Sequence, residues 1–377
     1  MQTDALLVIS SVLVGISLTG VVMTLRGSAP APGRPTLIVV FGLFLGLAGL
    51  PLIARFARPV YDLYLPALLP CLMLLPACLF QYVTERIDAI DHRPWRRRHL
   101  GLPFIGVIVM IGYWALPGPV RRTLLIEGDL PEGWFPALLA LTTFALILIW
   151  AVTSLVYLAV IVKHLSRYRA RLKALYSNTE AYELRWMDGF ILMLVIGWGL
   201  SGLSVISDNL GPGLIVPAEG VVLTIGLAVL MLVVFATGQM PAQDIPLALP
   251  PEPDKYARSA LSSERMEHIA RKLETAMRAE ALYLDPTLSL QKLAKHVAAP
   301  HNHVSQTLNG HLGTTFFDYV ARWRVQAAQP LLLAQEASVL TIALEVGFNS
   351  RSTFYKAFKR ETGLTPKDYQ KQNAPSA

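Results

Sequence analysis

Long apolar runs alternate with short polar segments over roughly the first two thirds of the chain. A helix that crosses a bilayer needs about 20 consecutive, mostly apolar residues. Seven runs approach or exceed that length, the fourth being the shortest, and they predict seven membrane-spanning helices. The runs are Leu6–Thr24, Thr36–Ile53, Leu63–Tyr82, Gly101–Leu116, Phe135–Val162, Gly189–Ile206 and Gly213–Ala236.

Basic residues are unevenly distributed among the polar segments between these runs. The segments after the first, third and fifth runs hold thirteen Lys and Arg residues, and those after the second and fourth hold four. Because Lys and Arg collect in cytoplasmic loops, we expect the N-terminus outside the cell and the chain beyond Ala236 inside it. The flank "MQTDA" carries Asp4 and no basic residue, so the first run does not resemble a secretory signal peptide.

Composition favours a membrane protein over a soluble one. Hydrophobic residues make up 53% of the chain and charged residues 16%, a balance too apolar for an ordinary soluble protein of this length. The cysteines Cys71 and Cys78 fall in the third run and would lie about 10 Å apart along a helix, too far for a disulfide within it. Buried packing is the simpler interpretation for both, and a redox or metal role stays open.

The apolar runs offer little catalytic chemistry. "GLSG" at Gly199–Gly202 has the Gly-x-Ser-Gly form of rhomboid proteases, but such a serine needs a base nearby. The histidines before residue 238 are His92, His99 and His164, all in or beside cytoplasmic segments. Small residues that let helices approach closely are the simpler interpretation. A His-Glu-x-x-His motif is absent, as is a lysine in the seventh run for a retinal Schiff base. We therefore expect no enzyme activity, metal or cofactor.

Three acidic residues near the outer ends of the runs are candidates for sensing a signal: Asp62, Asp208 and Glu219. An ionisable group at membrane depth is costly and commonly functional, and Glu219 lies several residues inside its run. The alternative is that all three simply reach the membrane interface. Either a small molecule or a change in the membrane would fit such a site.

The character of the chain changes after the seventh run. Five prolines between Pro241 and Pro253 indicate an extended linker over residues 239–261. The following stretch, Ser263–Ala279, has apolar residues at helical spacing and a serine cap, which predicts a soluble amphipathic helix. It could be the first helix of the next domain, a dimerising or signal-transmitting helix, or both. The predicted fold is all-α, with a seven-helix membrane domain at 1–238 and a soluble domain at 262–377.

The soluble domain contains one helical pattern twice. "TIALEV", "GFNS" and "RSTFYKAFKRE" form a helix, a glycine turn and a second helix, in which Phe354 and Phe358 can face a core with Phe348. This is the pattern of a helix-turn-helix, whose second helix enters the DNA major groove. "LAKHV" at 293–297 matches "IALEV" at 342–346, and "GTTFFDY" at 313–319 matches "GLTPKDY" at 363–369. Two helix-turn-helix units joined by a helix over "FFDYVARWRVQAAQPLLL" are therefore expected.

At these motifs the chain resembles the DNA-binding domain of the AraC/XylS family of bacterial transcription regulators, over about Ser263 to Gln372. "EVGFNSRSTFYKAFKRETGLTPKDY" follows the signature of the family's second unit almost throughout. The first unit departs from it: Pro300 replaces a capping serine, Gln306 an arginine and Leu308 a phenylalanine. The resemblance implies double-stranded DNA and RNA polymerase as partners, together with a homodimer.

Charge and side-chain chemistry select the residues expected to contact DNA. From Lys255 onward 16 basic residues outnumber 10 acidic ones, which favours attraction to phosphates. Arg351 could bind guanine through two hydrogen bonds, and Asn302 and Gln306 could bind adenine similarly. For each candidate, the alternative is a solvated surface position. The candidates are Asn302, Ser305, Gln306, Arg322, Arg324, Arg351, Ser352, Tyr355, Lys356 and Lys359.

The sequence therefore predicts a multi-pass protein of the bacterial inner membrane whose cytoplasmic tail regulates transcription, and it leaves open whether the protein is an activator or a repressor. Two other hypotheses remain. The tail could bind a protein partner instead of DNA, although its basic recognition face disfavours this. The apolar part could be an intramembrane enzyme or transporter, although the missing catalytic pairs and the scarcity of mid-membrane charge disfavour that.

Overall fold

A computed structural model of the chain describes residues 2–26, 33–87, 97–180, 183–210, 218–237 and 261–373. Within these ranges the regular secondary structure is helical, with an isolated antiparallel bridge between Tyr176 and Ser289 and no strand. The chain forms two compact units. The first comprises Met1–Leu165 and Arg185–Leu247, and the second comprises Ser166–Leu184 and Ala248–Ala377.

The first unit is built from apolar helices. Helix α1 packs against α2 and α9, α4 against α2 and α5, and α8 against α9. Helix α7 begins in this unit and continues into the second. The helices are α1 Gln2–Arg26, α2 Arg34–Ala48, α3 Leu50–Phe56, α4 Tyr61–Ile87, α5 Gly101–Ala115, α6 Gly118–Arg122, α7 Trp134–Leu175, α8 Trp186–Leu210 and α9 Ala218–Thr237.

Four of the described helical segments are long and apolar enough to cross a membrane: Asp4–Arg26, Arg34–Phe56, Arg58–Ile87 and Trp134–Leu175. Three shorter apolar helices, Gly101–Ala115, Trp186–Ser201 and Val222–Val234, coincide with the fourth, sixth and seventh predicted runs. Every predicted run thus contains an apolar helix, and the count of seven spans stays a prediction.

The second and fifth runs differ most from the helices that they predicted. The second run divides at Gly49 into α2 and α3, because Pro51 stands in the first turn of α3 and lacks the N–H needed to continue a helix from α2. The fifth run was expected to end at Val162, but α7 continues to Leu175 through the basic segment after it. Charged residues interrupt an apolar pattern without breaking a helix.

The second unit consists of short helices with soluble character. They are α10 Ser263–Arg278, α11 Leu290–His296, α12 His301–Gln306, α13 Phe316–Ala334, α14 Val339–Glu345, α15 Arg351–Thr362 and α16 Pro366–Asn373. The expected helix over Ser263–Ala279 is thus present as α10, which buries Ile269, Leu273 and Met277.

Two hydrophobic cores lie in this unit, and α13 contributes to both. The residues of the first core are Ile269, Leu273, Ala276, Met277, Leu288, Leu290, Leu293, Ala294, Val297, Val304, Leu308, Phe316, Tyr319 and Val320. The residues of the second are Ala321, Val325, Ala328, Leu332, Ile342, Ala343, Val346, Phe348, Phe354, Ala357 and Phe358. Each core therefore supports one of the two predicted helix-turn-helix units.

Candidate nucleic-acid interface

The first helix-turn-helix unit is formed by α11 and α12. The Ser289 hydroxyl caps α11 by accepting a hydrogen bond from the Lys292 amide. The turn places Ala298 at a φ of 51°, in the left-handed region. Helix α12 follows Pro300, which provides no side-chain cap, in agreement with its departure from the serine of the family pattern.

The second helix-turn-helix unit, formed by α14 and α15, has the same construction, with a serine cap on both helices and a glycine in the turn. Ser338 and Ser350 cap the two helices, accepting hydrogen bonds from the Thr341 and Thr353 amides. Gly347, at the position that corresponds to Ala298, has a φ of +92°. Phe354 contacts the rings of Phe348 and Phe358, with centroids 5.3 and 5.5 Å away. The paired motifs thus form two corresponding turns, as expected.

Helix α15 carries a basic face on its exposed side. Arg351, Ser352, Lys356 and Lys359 are exposed, and Tyr355 is half-buried. The Arg351 guanidinium lies 4.9 Å from the Tyr355 ring centre and donates a hydrogen bond to the phenol oxygen. Tyr355 therefore holds the guanidinium beside the helix, where it remains accessible to a base or phosphate. The predicted contact residues of α15 therefore include three exposed basic side chains, Arg351, Lys356 and Lys359.

The candidate residues of α12 are less exposed. Asn302, Ser305 and Gln306 are all half-buried. Ser305 accepts a hydrogen bond from the Asn309 amide group, and the buried Gln306 Oε1 has no partner among the described residues. At the positions selected from sequence, the first helix-turn-helix unit therefore presents fewer free polar groups than α15 does, and no basic ones.

The two arginine candidates on α13 have different environments. Arg322 is exposed, and its Nε lies 3.5 Å from Glu361 Oε2. Arg324 is fully buried, with 0% of its surface accessible. This burial corrects the expectation that Arg324 contacts DNA, because the side chain presents no surface to a ligand.

Arg324 instead holds the junction of the two helix-turn-helix units. Its Nε donates to the Tyr283 carbonyl at 2.7 Å, and its Nη2 donates to the Asp285 carbonyl at 2.9 Å. Its guanidinium also lies 5.5 Å from the Phe348 ring centre. Burial lowers the pKa of Arg324 to about 10, so it remains protonated near neutral pH. A charged donor thus ties α13 to the loop before α11.

Asp285, within the loop before α11, joins this loop to α11 through Lys292. Burial by itself would raise the pKa of this carboxyl group, but hydrogen bonds from Thr287 and Lys292 and the charge of Lys292 outweigh that effect. The pKa of Asp285 is therefore lowered, and the group is ionised at neutral pH. Its Oδ2 lies 3.0 Å from Lys292 Nζ.

Sequence reasoning did not identify one group of residues at this junction, Ser177–Glu180, which lies between the fifth and sixth apolar runs. Asn178 Oδ1 and Ser177 Oγ both accept hydrogen bonds from Arg324, at 3.3 and 3.2 Å. Four polar residues in a row carry no periodicity, so the sequence held no signal for this contact beyond their turn-forming character.

In the compact unit of apolar helices, the side chain of Asp62 is paired with arginine side chains. It is buried, and its Oδ2 lies 2.8 Å from Arg121 Nη2 and 3.6 Å from Arg122 Nε. A buried carboxylate paired with arginine is not available to a ligand unless that pair is broken. The side chains of Asp208 and Glu219 lie outside the described residues, so the sensing hypothesis for these three positions stays a proposal.

Other candidate groups of the first unit show ordinary packing. Ser201 Oγ donates to the Gly197 carbonyl of its own helix. Cys71 and Cys78 are free thiols in α4. In the described part of the chain, no cluster of three or more His, Cys, Asp or Glu side chains could hold a metal ion.

Comparison with known proteins is consistent with the geometry of the second unit. Residues 293–372 match the family described as "Helix-turn-helix domain". The melibiose operon regulatory protein of Escherichia coli (strain K12) is 31% identical over 87 residues, which are 23% of this chain and 29% of that protein. Regulatory protein PocR of Salmonella typhimurium is 31% identical over 101 residues, 27% of this chain and 33% of that protein.

Among solved structures, the C-terminal domain of AraT, a response regulator from Geobacillus stearothermophilus, is 24% identical over 31% of this chain and 92% of that chain, with a TM-score of 0.26. This chain spans at most about a third of the two curated relatives above. The relatives are regulatory proteins rather than enzymes, and the similarity concerns one domain. The C-terminal part of this chain, at residues 293–372, is an AraC-type helix-turn-helix domain.

Proposed function

We propose that the protein is a membrane-embedded one-component transcription regulator. Its apolar helices lie in the bacterial inner membrane and receive a small-molecule or membrane signal. Its C-terminal domain lies in the cytoplasm, binds promoter DNA as a homodimer and contacts RNA polymerase. The apolar helices long enough to cross a bilayer support the membrane location.

The exposed basic face of α15 is the observation that carries the DNA-binding part of this proposal. A capped recognition helix with Arg351, Lys356 and Lys359 exposed can approach phosphates without first breaking a buried contact. Arg351 is at the start of the helix, where helix-turn-helix proteins contact base edges. The face thus combines sequence readout with non-specific attraction.

Replacement of Arg351 by alanine is expected to weaken binding to the preferred sequence by about 1–3 kcal/mol and to relax the preference at one base pair. The matched control is Lys359→Ala on the same helix, which should weaken all sequences alike and lower the salt dependence of log K by about one unit. Titration of the full-length protein in nanodiscs with selected and random DNA measures both effects. If the two variants behave identically on both DNAs, the assigned roles are incorrect.

A protein-binding tail is the alternative for the same face, because a basic helix can also bind an acidic protein surface. Selection of duplexes from a random library by the full-length protein distinguishes the two. An enriched sequence supports the regulator. Failure to enrich any sequence, at low salt as well as at physiological salt, would favour the protein partner.

The proposed topology predicts where a cytoplasm-dependent reporter is active. Fused after Ala236, the reporter should be active, since that position follows an odd number of spans. Fused after Pro117, which follows the fourth run, it should be inactive, and a periplasm-dependent reporter should show the reverse pattern. Cytoplasmic activity at Pro117 would contradict the seven-span arrangement.

A further inference from the structure

The segment Ser177–Glu180, which we term the clasp, lies in the second unit although it is remote from the helix-turn-helix domain in sequence. It begins just after α7 ends at Leu175. The Ser177 amide and hydroxyl both donate to the Leu288 carbonyl, at 3.2 and 2.7 Å. Tyr176 forms the antiparallel bridge with Ser289, the capping residue of α11. The clasp is therefore joined by its backbone to the start of the first helix-turn-helix unit.

The clasp also contacts α13, the helix that connects the two helix-turn-helix units, and the second of those units. The Asn178 amide group donates to the carbonyl of Pro286, before α11, and to the carbonyl of Gly347, in the turn between α14 and α15. Its oxygen accepts from Arg324 on α13. One side chain thus bridges the loop before the first helix-turn-helix unit, the connecting helix and the turn of the second unit.

Glu180 extends these contacts to the recognition helix. Its carboxylate accepts a hydrogen bond from the Thr353 hydroxyl, in the first turn of α15. An anion near a helix N-terminus is also favoured by the helix dipole. The clasp therefore contacts the helix that presents Arg351 and Lys356 to DNA, on a face that leaves both of these side chains exposed.

Burial shows that the clasp fills a formed site. Ser177 and Thr179 are 2% and 1% exposed. Two of the three guanidinium nitrogens of Arg324 donate to the clasp. Without the clasp, those donors would need water or other partners inside the junction, at a cost in free energy. The clasp therefore supplies hydrogen-bond acceptors to buried donors of Arg324.

We propose that the clasp fixes the relative position of the two helix-turn-helix units, and that its docking and release are the step through which the apolar helices control DNA binding. This inference rests on the proposed function. The clasp follows α7 and precedes α8, so a signal that moves either helix acts directly on its ends. Arg169 in α7 also donates to the Glu183 carbonyl, which ties the two ends of the loop together.

In this proposal, the protein binds DNA when the clasp is docked. Two recognition helices must reach successive segments of major groove at a set spacing. A fixed spacing avoids the entropy cost of ordering the units on DNA. If release of the clasp lowers the fraction of correctly arranged domains to about a tenth, the apparent affinity falls about tenfold.

The first test measures the geometry without DNA. In full-length protein with Cys71 and Cys78 replaced by serine, spin labels at Lys295→Cys and Lys367→Cys report the distance between the units, since both positions are exposed. Asn178→Ala combined with Glu180→Ala should broaden the distance distribution, whereas Glu336→Ala, an exposed acidic control, should leave it unchanged. A distribution as narrow as that of the unmutated protein would overturn the proposal, whatever the protein binds.

The second test restores the clasp covalently. Residues paired in an antiparallel bridge have Cα atoms about 4.5–5.5 Å apart, within the range of a disulfide. Tyr176→Cys with Ser289→Cys, added to the Asn178→Ala and Glu180→Ala protein, should therefore lock the clasp when oxidised. DNA selected by the unmutated protein should bind the reduced form about tenfold more weakly, and oxidation should recover most of that loss.

The outcomes separate the two proposals. Equal or tighter DNA binding by the released protein would overturn a positive role of the clasp. Broadened distances, together with no DNA bound by any form, would support the clasp as the element that fixes the units and would overturn the proposed regulator. Recovery on oxidation also shows that the variant is folded.

Discussion

Replacement of Gly347 by alanine is expected to destabilise the C-terminal unit by about 2–5 kcal/mol. The φ of +92° would place alanine in the left-handed region, which costs about 1–2 kcal/mol. A Cβ atom would also lie 2.7 Å from the Tyr283 carbonyl oxygen and 2.8 Å from that of Leu284. Backbone atoms cannot rotate away as a side chain can, so overpacking adds about 1–3 kcal/mol.

The matched control for this prediction is Gly363→Ala. Gly363 has a φ of +79°, but no heavy atom lies within 4 Å of the position its Cβ would take. It should therefore show only the conformational cost of about 1–2 kcal/mol. Amide exchange of α14 and α15 in the full-length protein measures both free energies. Equal losses would show that close packing at Gly347 adds nothing.

Replacement of Arg324 by methionine is expected to destabilise the same unit by about 2–4 kcal/mol. Methionine fills a similar volume but donates no hydrogen bond, so the Tyr283 carbonyl loses its donor inside the junction. The Asp285 carbonyl loses the Arg324 bond and keeps the one from the Leu288 amide. Each unsatisfied buried acceptor costs about 1–3 kcal/mol, and removal of a buried charge returns part of that.

Arg322→Met is the control for Arg324→Met. It makes the same chemical change two residues earlier on α13, at an exposed position. Its pair with Glu361 is solvated, so the change should stay within about 0.5 kcal/mol. Urea unfolding followed by amide exchange of α13 compares the two variants. Similar losses at the two positions would contradict the structural role of Arg324.

The helix-turn-helix domain could be predicted from sequence because its signals are local. Ser350 caps α15, Gly347 occupies a turn that favours glycine, and Phe354 and Phe358 repeat at helical spacing. Each of these features determines backbone conformation within a few residues. The exposed basic face of α15 follows from the same periodicity, since burying the phenylalanines turns Lys356 and Lys359 outward.

The role of Arg324 could not be predicted in the same way. An arginine on an amphipathic helix is normally exposed, and Arg322 follows that rule. Arg324 is buried because its acceptors come from segments 39 and 147 residues away in the chain. Helical spacing contains no information about those partners.

The extent of the apolar helices was only partly predictable for a related reason. Hydropathy identifies which residues lipid would accept, but helices end where capping or proline requires it. Helix α7 therefore continues to Leu175 beyond the apolar run, and Gly49 and Pro51 interrupt a run of uniform hydropathy. The clasp follows the extended end of α7, which is why its contacts were not anticipated.

The sharing of α13 between two hydrophobic cores has a consequence for the cooperativity of folding. Phe316 and Val320 at one end belong to the first core, whereas Val325 and Leu332 belong to the second. Each core is assembled largely from neighbouring segments, so each can form as a local folding unit with a small loop-closure entropy. The common helix makes formation of either core favourable for the other. Nucleation in one half of the domain therefore lowers the barrier to completing the second half.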